Sequence, residues 1–301
     1  MTARYSLLMA HLTGDPAAAS VIGEEALALL EDDPLGGAEL LGFPPWITFV
    51  WLTATSYTFQ ARFDEARGLA GRAERWTRQH PDAFTRSLAL RIAVQIANMQ
   101  GDCERVLALS QEAVALVEQL PIPASELLTR LDLVHGLLMA ERWDEAVEES
   151  ARSLRIAEEH LIGLNLEARC LVLCARAHLG RGDLAKARDL AARALRRATE
   201  QQSALFEVLA RLVSARVLAA GTEPGFDAEA EQHLHLAEGL VSERRLAAYR
   251  HEISELRAML AEKRGDDAEA LRHLGEALRV SRELGVSGHA ARLERMLADR
   301  Q

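Results

Sequence analysis

Cys170, Cys174 and His178 come nearest, in type and spacing, to a metal-binding or reactive set in this 301-residue chain. At i, i+4 and i+8 they share one face of a helix, and thiolate and imidazole are both zinc ligands. A structural zinc site takes four ligands, and no second cluster in the sequence supplies the missing ones. Small cysteines are ordinary core residues, so packing is the expected role for all three positions. Arg91, Gln95 and Asn98 form a set of another kind, at i, i+4 and i+7. A guanidinium beside amide side chains holds a carboxylate bidentately, which is recognition chemistry and not catalysis. The sequence contains no G-x-x-x-x-G-K-[ST], no H-E-x-x-H and no G-x-S-x-G. The G-R-G-D of Gly180 to Asp183 follows no strand and reads as a turn between helices. No enzyme activity, cofactor or metal is expected.

The elements that must position these residues are helices. Hydrophobic residues make up 49% of the chain and aromatics only 5%, because most of the apolar content is Ala and Leu. These residues, with Glu and Arg, are strong helix formers. Of the 8 prolines, Pro34, Pro44, Pro45 and Pro121 fall where loops are expected. The formal net charge of −10 excludes direct nucleic-acid binding, which needs a basic stripe to displace counterions. The cluster Arg193, Arg196 and Arg197 is offset by nearby acids. The opening M-T-A-R-Y-S-L-L-M-A-H-L-T-G-D lacks the apolar core and cleavage site of a signal peptide. No stretch approaches the roughly 20 apolar residues of a membrane span. Cys103, Cys170 and Cys174 do not make a disulfide framework. A soluble, cytoplasmic protein with no membrane association is expected.

Internal repetition organises the chain. A six-residue pattern, from a small or turn residue to a small residue, appears as A-R-F-D-E-A, G-D-C-E-R-V, E-R-W-D-E-A, G-D-L-A-K-A, G-F-D-A-E-A and G-D-D-A-E-A. A weaker copy, G-D-P-A-A-A, runs from Gly14. The pattern ends at Ala19, Ala66, Val106, Ala146, Ala187, Ala230 and Ala270, so the steps are 47, 40, 40, 41, 43 and 40. The long first step holds two turn-rich runs, Asp32 to Gly37 and Gly42 to Pro45; the 43-residue step holds A-G-T-E-P-G, Ala220 to Gly225. Seven residues after each end stands Ala26, Ala73, Ala113, Ser153, Ala194, Ala237 or Ala277. Residues i and i+7 share a helix face, so each unit keeps a small side chain where a neighbouring helix comes close. Each unit therefore reads as two antiparallel helices, A and B, with helix A ending near the Gly and Asp capping helix B. Such pairs cannot bury their apolar faces alone and must stack.

The expected fold is all-α: a right-handed superhelical α-solenoid of about seven antiparallel helix pairs, forming one domain over 1–301. The pairs run roughly over 1–31, 46–80, 84–120, 124–161, 164–202, 204–244 and 246–285, with a capping helix over 287–300. Met1 falls inside the first helix A, as a truncated start would.

The turn followed by a small residue seven positions later resembles the tetratricopeptide (TPR) motif over about residues 1 to 285. Two features depart from that family. The period is near 40 where the family has 34. Its large aromatic on helix B is replaced by Gly23, Ala70, Ser110, Ser150, Ala191, Leu234 and Leu274. Long-period repeats of this kind are similar to those at the C-terminal ends of bacterial signal-transduction ATPases, helix-turn-helix activators and cyclase-linked ATPases. The run from Arg279 to Leu293 is similar to the ends of such proteins.

The resemblance implies a concave face lined by A helices that reads extended peptides. Aligned to it, that face carries Trp51 and Thr55, then Arg91, Gln95 and Asn98, then His135, then Arg169 and Arg176. Phe63 and Trp143 occupy one motif position two periods apart and are expected to plug the gap between helices A and B. The loop from Leu35 to Trp46 is expected to fold back over the first two repeats. Two functions remain open: a module that binds a protein or peptide segment in the groove, or the effector-sensing or oligomerising arm of a regulatory ATPase or transcription activator.

Overall fold

The computed structural model describes residues 10, 14–41, 43–118, 120, 122–160 and 166–300. The expected first helix A, most of which falls on residues 1–13, lies outside them, as do Gly42 of the predicted loop and the links at 119, 121 and 161–165. The described residues form an α-solenoid without strands. The helices are α1 (Pro16–Leu29), α2 (Ala38–Leu41), α3 (Pro45–Phe59), α4 (Phe63–Gln79), α5 (Ala83–Gln100), α6 (Cys103–Val117), α7 (Pro123–Met139) and α8 (Trp143–Glu159). They continue as α9 (Glu167–Gly180), α10 (Leu184–Glu200), α11 (Ala204–Ala220), α12 (Phe226–Glu243), a 3-10 turn (Ala247–Tyr249), α13 (Arg250–Lys263), α14 (Asp267–Glu283) and α15 (Ser287–Ala298). No helix among the described residues is long and apolar enough to cross a membrane.

The A-to-B turns follow from local chemistry. Gly101, Gly182 and Gly265 sit at φ 78°, 89° and 74°, the left-handed conformation that reverses the chain after a helix. Asp102, Asp183 and Asp266 then accept hydrogen bonds from the backbone N–H groups of Arg105, Lys186 and Glu269, capping α6, α10 and α14. Ala61 and Glu141 hold the same left-handed position without being glycine.

The small residues are where the stacking needs them. Ala73, Ala113, Ser153, Ala194, Ala237 and Ala277 are all fully buried, and Ala26 is nearly so. Ala19, Ala66, Val106, Ala146, Ala187, Ala230 and Ala270 are buried with them. The B helices bury one stripe and expose the other face. The A helices are covered more fully: α3 buries Trp46, Ile47, Phe49, Val50 and Leu52, and α11 buries most of its length from Ala204 to Ala219. Successive A helices touch one another, so they form the inner layer.

Phe63 is buried in the first core cluster, and Trp143 packs so closely on Gly180 that a Cβ there would lie 2.2 Å from Trp143 Cε3. The Leu35-to-Trp46 segment, expected to fold back over the first two repeats, reaches the second and the third instead. Phe43 meets Phe84 at 5.3 Å between ring centroids, and Trp46 meets Trp76 at 5.5 Å. Leu35 itself is exposed.

The two ends of the array meet. Phe59 of α3 stacks on Tyr249 of the 3-10 turn, with centroids 6.2 Å apart. Val286, just before α15, belongs to the same apolar cluster as Ile47, Leu52 and Ile92. The Gln100 side-chain amide donates to the Gly285 carbonyl at 3.5 Å. Gly101 and Gly288 touch backbone to backbone, since a Cβ on Gly288 would stand 2.3 Å from the Gly101 oxygen. The curvature accumulated over successive pairs thus brings α15 against α5, and the concave face becomes an interior.

Candidate ligand-binding interior

The concave surface expected as an open groove is narrowed by that closure, and this changes the role of each residue placed on it. Arg91 of α5 is 4% exposed. Its Nε donates to Asp132 Oδ2 of α7 at 2.6 Å, and its guanidinium carbon lies 4.5 Å from the centre of the Trp51 ring. Asp132 also accepts a hydrogen bond from Arg169 Nη2 of α9 at 3.1 Å. One buried carboxylate therefore serves two guanidinium groups. Arg91 Nη1 remains buried without a hydrogen-bond partner. Arg91 is thus committed to an acid of its own chain, where the sequence suggested a free clamp for a partner's carboxylate.

His135 stands on α7 one turn beyond Asp132 and is half-buried. Burial, and then the charges of Arg169 and Arg176, push its imidazole well below its ordinary value, so the ring is neutral. Arg176, seven residues after Arg169, is also half-buried. Burial lowers its guanidinium, Glu252 of α13 raises it, and Arg216 of α11 lowers it further. Arginine nevertheless keeps its proton, so Arg176 is an interior cation. No carboxylate among the described residues lies within ion-pair distance of it. Glu252 is engaged elsewhere, accepting from Arg216 Nη2 at 3.0 Å. Burial would raise the Glu252 carboxyl, but Arg216 and Arg176 outweigh burial and hold it down at about 2. The Tyr249 hydroxyl, raised by burial, feels both Arg169 and Arg176.

Among the described residues, Asp132 pairs with Arg91 and Arg169 and Glu252 with Arg216, while Arg176 has no acid within ion-pair distance, so these four cations share two carboxylates. A cation surplus in a desolvated space attracts a carboxylate or another anion more strongly than the same charges do in water. Of the other expected residues, Trp51 floors Arg91, while Thr55 donates its hydroxyl to the Trp51 carbonyl of its own helix at 2.8 Å. Gln95 and Asn98 are half-buried on the helix carrying Arg91, and their side chains make no hydrogen bond among the described residues. The structure therefore joins Trp51, Arg91, His135, Arg169 and Arg176 into one set and leaves Thr55, Gln95 and Asn98 at its margin.

Asp132, Arg216, Tyr249 and Glu252 were not singled out by the sequence. Asp132 carried a usable signal: it lies 41 residues after Arg91, one repeat period, on the equivalent helix.

Cys170 and Cys174 pack in the core as expected, whereas His178, expected on a packing position, is half-buried beside a turn acid. Cys170 and Cys174 are buried in separate apolar clusters, and the His178 imidazole pairs with Asp183 at 3.3 Å. An open cleft of about 540 Å³ lies between α10, α11 and α12, lined largely by Ala191, Leu195, Val217 and Leu218. Arg188 and Arg196 also line it, but Glu200 and Glu229 offset them, so it has no surplus of positive charge.

No protein-family profile matches the chain, and no curated protein resembles it in sequence. The crystal structure of the apo form of RapI is similar in fold, with a TM-score of 0.52 and 10% sequence identity over 97% of this chain and 80% of that one. That structure is a TPR-like helical repeat, and at this identity the likeness is one of architecture.

Proposed function

We propose that the chain is a non-catalytic regulatory module that captures a short acidic ligand, holding its carboxylate against Arg176 and Arg169 inside the solenoid. The observation that carries this reading is Arg176: a half-buried guanidinium with no carboxylate among the described residues within ion-pair distance. Helical-repeat architecture supports a recognition scaffold, and the favoured ligand is an acidic segment or C terminus of a protein partner. The narrowing of the concave face favours a short element over a long extended one. The same narrowing supports a second reading, in which a small carboxylate effector occupies the site and the chain is the sensing arm of a larger regulator.

Thermal shift and calorimetry test both. The probes are short Asp- and Glu-rich peptides with free or amidated C termini, their Asn and Gln counterparts, and simple di- and tricarboxylates. Stabilisation by the acidic peptides supports the first reading, and stabilisation by the small acids alone supports the second. If amide and acid probes act alike, carboxylate recognition is wrong.

A further inference from the structure

Two buried polar groups and one half-buried one converge at the seam where the array closes. His251 and Glu255 stand one turn apart on α13, and His289 stands on α15. One ring nitrogen from each histidine and one carboxylate oxygen of Glu255 lie within 4.8 Å of one another. The two rings are 4.5 Å apart between centroids. His251 is 6% exposed, and its Nδ1 is buried with no hydrogen-bond partner. Glu255 is 9% exposed, and its Oε2 accepts from Arg292 Nη2, which leaves Oε1 as a donor atom.

We propose that His251, Glu255 and His289 form a binding site for a divalent first-row transition ion, which pins α15 to α13 at the point of closure. Two imidazoles and a carboxylate are the donor set that zinc takes with three protein ligands, leaving one position for water. Nickel, cobalt and copper share the preference for imidazole, whereas magnesium and calcium take oxygen. Around a tetrahedral ion with bonds of about 2.1 Å the donors stand roughly 3.4 Å apart, so small side-chain rotations bring the three into place.

The surroundings suit this role. Arg292 orients the carboxylate from outside the ligand set, as hydrogen bonds to ligating carboxylates do at metal centres. Glu252 is paired with Arg216 and Glu255 with Arg292, so the imidazoles carry more of the binding than the local field does. The backbone of His289 also abuts Gly101: a Cβ there would lie 2.8 Å from the His289 nitrogen. An ion at this place would therefore hold the cap where it touches α5. The site needs no ligand at Arg176, so it can stand if the carboxylate reading fails.

The test is calorimetric titration of the full chain, stripped with EDTA, with Zn2+ alone near pH 7.5. One ion per chain and a rise in Tm are expected. His289→Ala should weaken binding by more than the roughly 10- to 100-fold lost with an outer ligand partner, and Glu255→Gln by at least that range. His235→Ala, on the exposed face of α12, should bind as the parent does. Co2+ should give the visible absorption of a tetrahedral centre, lost in His251→Ala. Far-UV circular dichroism checks that each variant folds; if His289→Ala loses helicity, the conservative Glu255→Gln decides. Absence of stoichiometric binding, or equal affinity in Glu255→Gln and the parent, overturns the proposal.

Discussion

Arg91 and Asp132 meet across two repeats at 2.6 Å, with side chains only 4% and 5% exposed. Asp132 is the hub of the interior, because Arg169 lies on its other oxygen at 3.1 Å. Removing one partner of a buried ion pair costs far more than the pair contributes, since the survivor is left charged and desolvated. Asp132→Asn strands two guanidinium groups and should destabilise the fold by about 3–5 kcal/mol in denaturant unfolding. The same variant should bind carboxylate probes more tightly than the parent, because it frees both cations. A neutral effect on stability would show that solvent already screens the pair.

The repeat register makes a prediction of its own. Ala194 and Ala277 are fully buried at helix contacts with no room for added volume. Ala194→Phe and Ala277→Phe should each destabilise by about 1–3 kcal/mol or more. A Phe at Ala192, one position off the buried stripe, should be better tolerated. Thermal unfolding of the three variants separates these outcomes, and near-neutral behaviour at both buried sites contradicts the register.

His135 predicts a pH dependence. Its imidazole is held well below its ordinary value by burial and by Arg169 and Arg176 across from it on α9. Asp132, one turn away on the same helix, is engaged by Arg91 and Arg169. The unfolded chain takes a proton on this residue near pH 6.5. The folded chain refuses it there. As pH falls below about 6.5 the unfolded state binds more protons, so stability drops; above that pH the residue contributes nothing. His135→Gln should flatten the curve of unfolding free energy between pH 7.5 and 5.5, by up to about 1.4 kcal/mol at the acidic end. Other buried histidines, His233 among them, maintain the remaining slope. Parallel curves for variant and parent would mean that His135 titrates normally in the fold.

The architecture was legible because it depends on a local requirement repeated in phase. Ala73, Ala113, Ser153, Ala194 and Ala237 are short for one reason, helix contact, and subtraction along the chain reveals it. The interior polar set was partly legible for the same reason: Trp51, Arg91, His135, Arg169 and Arg176 stand on successive A helices. What those side chains do was not legible. Closure of the array is a sum of small rotations over all the pairs, and no single repeat contains it. Only closure brings Tyr249 onto Phe59, from distant parts of the sequence. Asp132 was missed because an acid on an A helix reads as solvated until its neighbours are known to cover it. Thr55 was overvalued because its hydroxyl satisfies its own helix.

Arg176 offers the most direct measurement. If it is a ligand-binding cation, it costs stability while no anion is bound, because it is half-buried with no acid among the described residues within ion-pair distance, and Glu252 keeps Arg216 when it is removed. Urea unfolding of Arg176→Gln, with and without the acidic probes, reads both properties at once. The variant alone should be as stable as the parent or more stable, by about 1 kcal/mol, and the probes should no longer stabilise it. A loss of several kcal/mol in the variant, or probe stabilisation equal to the parent's, would contradict carboxylate capture in the interior.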